Sequence, residues 1–252
     1  MATRHRVVLL PGAVLPAGPA YAALLDLLGD RVDAVAKDLE VYSGEEPSPD
    51  YSLGTEVEGI LRAADVHGFD RFHLVGYSAG GASSLAFAAL HPERLLSLAL
   101  LEPAWAGNAR TEAEDVLIQS FRALEPLPHD EFMAGFVRLQ LAPGVEPPPP
   151  RDGPPPDWMR KRPAGLRAFL AALDNDDLDI ESMRAFDRPV YFALGGRSNP
   201  IYYGRMAERL AAIFSDFTIE TFPERHHFDP PHRIEPERLS GSLLAFWERA
   251  GS

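Results

Sequence analysis

The chain of 252 residues contains no cysteine. Disulfide bonds, a thiolate nucleophile and cysteine-ligated zinc are therefore excluded. Basic residues are also scarce, since 24 lysines and arginines stand against 37 aspartates and glutamates, a formal net charge of −13. This balance disfavours binding to nucleic acid or to an anionic membrane surface. No stretch reaches the ~18 to 20 continuous apolar residues that a membrane span needs. We expect a soluble, acidic, cytoplasmic protein, with its oligomeric state left open.

Short apolar runs alternate along the chain with stretches in which apolar residues recur at helical spacing. Strands are predicted at 6–10, 32–39, 72–76, 95–101, 190–194 and 217–222. Helices are predicted at 21–28, 53–64, 79–90, 200–214 and 235–249. Buried strands separated by helices are typical of an α/β fold, a mostly parallel sheet with helices on both faces.

The alternation stops in the middle of the chain, between residues 107 and 186. Helix-like segments are predicted at 111–124, 130–141 and 163–173, but no strand. Eight of the chain's 24 prolines fall in segment 143–156, which is therefore stiff and extended. This segment is either a plain surface loop or the rim of a cap over a site. Because the sheet resumes at Val190, the insertion must lie over one sheet edge. We predict a core of residues 1–106 and 187–252 and a helical cap of residues 107–186.

The most informative motif is Gly76-Tyr77-Ser78-Ala79-Gly80, which matches G-x-S-x-G. An apolar strand precedes it and a helix of small residues follows, as a nucleophile elbow requires. Small flanking residues allow the sharp turn that lifts the serine oxygen clear of the backbone. The N-terminus of the following helix faces developing negative charge. The motif predicts Ser78 as a nucleophile, while a glycine-rich turn with a capping serine is the plainer interpretation.

Together with Leu9-Leu10-Pro11-Gly12, His91-Pro92-Glu93-Arg94 and the late histidines, this motif resembles the α/β-hydrolase superfamily, in its serine-nucleophile, esterase-like branch with a helical cap. The likeness covers residues 6–106 and 187–249. It implies a mostly parallel sheet of about eight strands. It also implies an oxyanion hole formed by the backbone N–H groups of Ala79 and Ala13, with Gly12 as the alternative second donor.

The resemblance places the general base after the last strand, where His226 and His227 lie. An imidazole there would take the serine proton and return it to the leaving group. Relatives usually carry an apolar residue directly after the base, so Phe228 favours His227, with His226 as second choice. Three histidines in seven residues also raise the question of a metal, but no carboxylate cluster supports one.

The third member of the triad departs from the family pattern. Relatives most often carry Asp in the turn after the strand at 190–194, and here Asn199 occupies that slot. Asn can accept an imidazole N–H bond but carries no charge, and it also suits a helix N-cap before Pro200. Some relatives place the acid where Glu102 lies. Glu102 is therefore the first candidate, Asn199 the second, and Asp229 a further one.

A serine nucleophile implies acyl chemistry. It excludes the related haloalkane dehalogenases and epoxide hydrolases, which attack with Asp. We predict a serine hydrolase acting on a small or medium ester without cofactor or metal. Carbon–carbon bond hydrolase, thioesterase, aminopeptidase and perhydrolase activities would use the same Ser78, and a ligand-binding protein with little turnover is the rival from another class. The pocket is predicted to include Tyr77 and Trp105. Further pocket candidates are Tyr202, Tyr203, Phe132, Phe136 and Trp158.

Overall fold

The computed structural model describes residues 4–149 and 153–251. Over these residues the strands form one sheet. They are β1 (His5–Leu10), β2 (Val32–Ala36), β3 (Phe72–Tyr77), β4 (Leu95–Leu101), β5 (Val190–Gly195) and β6 (Phe217–Phe222). Their order is β2-β1-β3-β4-β5-β6, and every neighbouring pair is parallel. All six strands predicted from apolar runs are confirmed, with ends that differ by at most three residues.

The prediction of about eight strands, which came from the resemblance, is wrong for the part of the chain that is described: the sheet has six. The outer strands have the polar character of sheet edges, since Asp33 in β2 and Thr218 in β6 are exposed. Side chains of this kind discourage further pairing at the edges. The central strands β3 and β4 are almost entirely buried.

Helices cover both faces of the sheet. They are α1 (Ala17–Leu28), α2 (Leu53–Val66), α3 (Ala79–Leu90), α4 (Glu112–Arg122), α5 (His129–Leu139), α6 (Arg162–Asn175), α7 (Ile180–Arg184), α8 (Arg205–Ile213), α9 (Pro231–Ile234) and α10 (Pro236–Ala250). Alternation along β1 shows the two faces, because successive strand side chains point in opposite directions. Val8 and Leu10 pack into the core beneath α2, α3 and α8, whereas Val7 and Leu9 pack beneath α1 and α10.

The segment between β4 and β5 carries α4 to α7 and, in its described part, contributes no strand to the sheet. The three predicted helices are confirmed there. The described prolines of segment 143–156 lie outside helices and strands, while Pro150 lies outside the described residues. Treatment of residues 107–186 as a separate cap stays a prediction. Of the helices described, none combines the length and apolar character needed to cross a membrane.

Candidate active site

Ser78 lies in the sharp turn between β3 and α3. Its φ of 52° and ψ of −115° lie outside the regions that non-glycine residues favour. Two bonds to the chain around the end of β4 hold this conformation: Ser78 N–H donates to the Leu101 carbonyl (3.2 Å), and the Ser78 carbonyl accepts from Ala104 N–H (2.8 Å). A strained backbone persists only when its surroundings over-determine it. The turn therefore lifts Ser78 out of the line of the strand, as the motif predicted.

The two motif glycines are required by close packing. A Cβ on Gly80 would lie 2.5 Å from the Leu10 carbonyl oxygen and 2.6 Å from the Leu10 Cβ. A Cβ on Gly76 would collide with the Gly80 backbone and the Ser84 hydroxyl. The elbow thus depends on close approach of α3 to β1 and to the end of β3.

Gly80→Ala is expected to lower the free energy of unfolding by about 1 to 3 kcal/mol, because the added methyl group overpacks the junction of α3 and β1. Gly18→Ala is the matched control. It also lies in a helix, α1, but its Cβ would meet nothing within 4 Å, so we expect a gain of about 0.5 to 1 kcal/mol. Urea unfolding followed by circular dichroism measures both. Equal effects of the two substitutions would contradict this account of the elbow.

Ser78, His227 and Glu102 form a continuous hydrogen-bonded chain. The Ser78 hydroxyl donates to His227 Nε2 (3.0 Å), and His227 Nδ1–H donates to Glu102 Oε2 (3.2 Å). These partners define the tautomer, because a carboxylate only accepts and Nε2 is then free to accept from the serine. The arrangement has the geometry of a nucleophile, a general base and an orienting acid.

His227 is held on two sides by tyrosines. The Tyr203 ring stacks on the imidazole at 4.6 Å with an interplanar angle of 15°, and its hydroxyl donates to Gln140 Oε1 (2.6 Å). The Tyr77 hydroxyl donates to the His227 carbonyl. The ring and backbone of His227 are thus positioned independently. The sequence predicted both tyrosines as pocket residues. In the structure the Tyr203 ring packs against the imidazole of His227 instead.

Glu102 follows the last residue of β4 and is almost fully buried. Its Oε1 accepts from Gly195 N–H (2.7 Å) at the end of β5, which leaves Oε2 for the histidine. Its φ of 46° is positive, and Ser78 is the one other non-glycine residue with positive φ in the described chain. Two of the three triad candidates thus occupy unfavoured backbone conformations, as residues at functional sites often do.

The alternative candidates for the acid and the base make other contacts. Asn199 caps the turn Pro200–Gly204: its Oδ1 accepts from Ile201 N–H (3.0 Å), and its Nδ2 donates to the Leu139 carbonyl (2.7 Å). Asp229 pairs with Arg225 (2.6 Å). His226 is buried next to His227 in the chain, and its carbonyl accepts from Asp229 N–H (2.8 Å). The structure brings none of the three into the hydrogen-bonded chain.

The loop after β1 closes the other side of Ser78. A Cβ on Gly12 would lie 3.2 Å from the Ser78 Cβ, so this backbone passes close to the serine. Among the described residues, the N–H groups of Ala13 and Ala79 donate to no protein acceptor. Ala79 is the first residue of α3, where N–H groups have no partner within the helix. Both predicted oxyanion donors are thus available beside the serine, and their role stays a prediction.

The carbonyl of Ala13 is clamped by two side chains that sequence reasoning missed. The Tyr42 hydroxyl donates to it (2.6 Å), and so does Arg162 Nη1 (3.3 Å) from the start of α6. The guanidinium lies over the Tyr42 ring, 3.8 Å from its centroid. Burial raises the pKa of Tyr42 to about 12, against the opposing effect of Arg162, so the hydroxyl remains a donor. No motif marks this clamp, because it joins residues far apart in sequence.

A cavity of about 410 Å³ opens in front of Ser78. It is lined by Gly12, Ala13, Val14, Leu15, Ala20, Tyr77, Ser78, Ala79, Ala104, Met133, Phe136, Pro148, Pro149, Trp158, Met159, Leu166, Phe169, Leu170, His227, Phe228, Pro230, His232 and Arg233. Of the predicted pocket residues, Tyr77, Phe136 and Trp158 line it. Trp105 does not line it; its indole N–H donates to Asn108 Oδ1 (3.3 Å) instead. Within the described ranges, no group of three His, Asp or Glu residues could hold a metal ion.

His232, in the cavity wall, is a buried histidine without a hydrogen-bond partner for either ring nitrogen. Burial lowers its pKa to about 3, and electrostatic effects of Arg233 and His227 act in the same direction. In the unfolded chain the pKa of His232 is near 6.5, whereas in the folded chain His232 takes up a proton only near pH 3. Stability contributed by neutral His232 is therefore complete above pH 6.5 and is lost as the pH falls below it.

We expect His232→Phe to weaken the pH dependence of stability. Between pH 7 and pH 5 the free energy of unfolding should fall by about 2 kcal/mol less in the variant than in the wild type. Phenylalanine suits the site, because the ring packs between Tyr21 at 4.9 Å and Tyr77 at 4.7 Å. Urea unfolding at pH 7, 6 and 5 gives the two slopes. Identical slopes would mean that His232 takes up its proton in the folded protein.

Comparison with known proteins gives one matching family. The family model described as alpha/beta hydrolase family matches residues 7–239. Among curated relatives, the N-formylmaleamate deformylase of Pseudomonas putida is 29% identical over 216 residues, which are 81% of this chain and 75% of that protein. The fluoroacetate dehalogenase of a Burkholderia species is 32% identical over 91 residues, 32% of this chain and 29% of that protein.

The chain spans only about a third of the length of some relatives. For the dihydrolipoyllysine-residue acetyltransferase component of the acetoin cleaving system of Cupriavidus necator, the match covers 33% of that protein and 46% of this chain at 33% identity. Among solved structures, a thermophilic esterase from Thermogutta terrifontis superposes with a TM-score of 0.68 at 19% identity, covering 99% of this chain and 92% of that one. At this identity the likeness concerns the fold.

Proposed function

The chain belongs to the alpha/beta hydrolase family, and on that premise we propose that it is a serine hydrolase that cleaves a small or medium ester through an acyl-enzyme intermediate. One observation carries the proposal: the unbroken chain of hydrogen bonds from Ser78 through His227 to Glu102. Its members open onto a cavity large enough for a small organic ester. The reaction needs no cofactor in this proposal.

In the first half of the reaction, Ser78 Oγ attacks the ester carbonyl while His227 Nε2 takes the hydroxyl proton. The N–H groups of Ala79 and Ala13 would stabilise the oxyanion, and the clamp of Tyr42 and Arg162 would hold the Ala13 turn rigid. The tetrahedral intermediate collapses, and His227 gives its proton to the departing alcohol. Glu102 stabilises the imidazolium throughout.

In the second half, water replaces the alcohol. His227 Nε2 takes a proton from the water, whose oxygen attacks the acyl carbon held on Ser78. Collapse of the second intermediate breaks the bond to Ser78 Oγ, which recovers its proton from His227. The carboxylic acid is released and the enzyme returns to its starting state. Net, one ester and one water become one acid and one alcohol.

The inserted segment is proposed to act as a cap that selects the substrate. Apolar side chains of α5 and α6, including Met133, Phe136 and Phe169, form part of the cavity wall. Such a wall favours an apolar acyl or alkyl part and helps to exclude water. Substrate size should therefore depend on this wall more than on the triad.

A second bond type follows from similarity to a relative. The match over 81% of this chain is to a protein named N-formylmaleamate deformylase, a name that denotes removal of an N-linked formyl group. Acyl–nitrogen cleavage would use the same nucleophile and base, so N-formyl amides belong in the substrate panel. A ligand-binding protein with little turnover would be favoured if Asn199 were the third member, because its amide has no charge to stabilise the imidazolium. Glu102 beside His227 supports turnover instead.

The test is a release assay over p-nitrophenyl esters of increasing acyl length, with N-formyl amides in parallel. We expect repeated turnover, with an optimum at a short or medium chain set by the cavity. Release that stops near one equivalent of enzyme would favour the binding protein. Absence of hydrolysis over the whole panel, together with no covalent labelling of Ser78 by a fluorophosphonate, would overturn the proposal.

A further inference from the structure

The cavity wall is unusual for so acidic a chain. The protein has a formal net charge of −13, yet no aspartate or glutamate is among the described residues that line the cavity. One permanently charged side chain lines it, and that side chain is a cation, Arg233. His232 in the same wall remains neutral because burial lowers its pKa to about 3. Among its permanently charged side chains, the described cavity wall therefore presents a cation and no carboxylate to a ligand.

Arg233 is kept at the cavity by its helix. α9 follows the base closely in the chain, and His232 within it packs between the Tyr77 and Tyr21 rings, next to the nucleophile. The charge of the Arg233 guanidinium acts on Tyr77, which lines the same cavity. Burial and Glu102 raise the pKa of Tyr77, and the charge of Arg233 opposes them. Arg233 is itself exposed, so it stands where the cavity meets solvent.

Arg233 has no carboxylate within 4 Å in the part of the chain that is described, although acids flank its helix. Asp229 and Glu235 both pair with Arg225, at 2.6 Å and 2.9 Å. Arg238 pairs with Glu220 at 2.8 Å. Asp229, Glu235 and Glu220 are thus engaged by other arginines, and the guanidinium of Arg233 remains available to a ligand.

We propose that the substrate carries a carboxylate at the end remote from the scissile bond, and that Arg233 binds this carboxylate while the apolar part of the molecule lies in the cavity. The inference rests on the proposed function, since it names the substrate class of the same site. An arginine suits the task because its planar fork binds carboxylates in a bidentate manner. The apolar lining suits a methylene chain between the two ends.

The test compares matched esters. Mono-p-nitrophenyl adipate, pimelate and suberate end in a free carboxylate, and their methyl p-nitrophenyl diesters carry the same chain without the charge. These chain lengths avoid rapid self-cleavage through a five- or six-membered cyclic anhydride. We expect kcat/KM to favour the carboxylate by tenfold or more at one chain length at least. This preference should shrink as salt is raised, because the arginine is exposed.

Arg233→Gln should remove the preference, so that the monoesters and their matched diesters then differ in kcat/KM by less than about threefold. The matched control is Arg205→Gln, an exposed arginine on α8 that does not line the cavity, and it should preserve the preference. Equal rates for both ester types in the wild type, or a preference that survives Arg233→Gln, would overturn the inference. Ser78-dependent turnover of the diesters would still stand, so failure of the inference differs from failure of the proposed function.

A binding measurement covers the case in which no ester turns over. Calorimetric titration of Ser78→Ala with monoethyl adipate and with diethyl adipate compares the charged and neutral ligands without chemistry. We expect the monoester to bind at least tenfold more tightly, and the difference to vanish in the double variant with Arg233→Gln. Equal affinities for the two ligands, or no binding of either, would overturn the carboxylate site.

Discussion

Replacing Ser78 by alanine is expected to lower kcat by about 10⁶-fold, because the residue that forms the covalent intermediate is then missing. Residual catalysis from the oxyanion donors and from binding alone would leave about 10³- to 10⁴-fold over water. The variant should fold, since the turn keeps its backbone bonds to Leu101 and Ala104, which do not involve the hydroxyl. Steady-state release from the optimal p-nitrophenyl ester measures the loss, and fluorophosphonate labelling should disappear with it.

Ser83→Ala is the matched control for this substitution. Ser83 is also buried in α3, and its hydroxyl donates to the Ala79 carbonyl (3.0 Å) rather than to the histidine. Turnover and labelling should both survive there. Retention of more than about one hundredth of the activity in Ser78→Ala, in enzyme free of wild-type contamination, would refute Ser78 as nucleophile.

The second large effect is expected at Glu102. Glu102→Gln keeps the shape of the side chain and an oxygen that can accept from Gly195 N–H. The amide NH₂ that then faces His227 Nδ1 favours the tautomer with its proton on Nε2, where it cannot accept from the serine. Loss of the charge also removes stabilisation of the imidazolium. A fall in kcat of about 10⁴-fold is expected, with a smaller change in KM.

Asn199→Ala separates the two candidates for the third member. Since Asn199 caps a turn through Ile201 N–H, its loss should lower the free energy of unfolding by about 1 kcal/mol and leave kcat within a few-fold. Steady-state kinetics and urea unfolding give kcat and the free energy of unfolding for both variants, Asn199→Ala and Glu102→Gln. A large kcat loss in Asn199→Ala with little loss in Glu102→Gln would reverse the assignment.

Most of the fold was predictable because its determinants are local. The strands are apolar runs such as Leu95–Leu101, and the helices show clear periodicity, as at Leu53–Val66. The count of eight strands came from the resemblance and failed, since no local pattern in this chain supports two more. Ser78 and His227 could be proposed because a motif or a neighbouring residue marks each of them.

The rest of the site depends on contacts between distant segments. Glu102 and Asn199 lie in the loops that follow β4 and β5, and because these strands are parallel neighbours, both loops begin at the same edge of the sheet. Only the path of each loop decides which side chain reaches the imidazole. Trp105 could not be placed for the same reason. The clamp of Tyr42 and Arg162 on Ala13 joins the core to α6, and such a contact leaves no mark in either segment alone.

The large sequence separation of the proposed triad residues affects when activity can appear during folding. Ser78 and His227 are separated by 149 residues, and His227 and Glu102 by 125. Contacts of this range close large loops and form slowly compared with local helices and turns. Helical signal can therefore return early after dilution from denaturant, while catalysis must wait until β3, β4 and the segment beyond β6 have docked. The rate at which activity returns then measures the last step of refolding rather than the collapse of the chain.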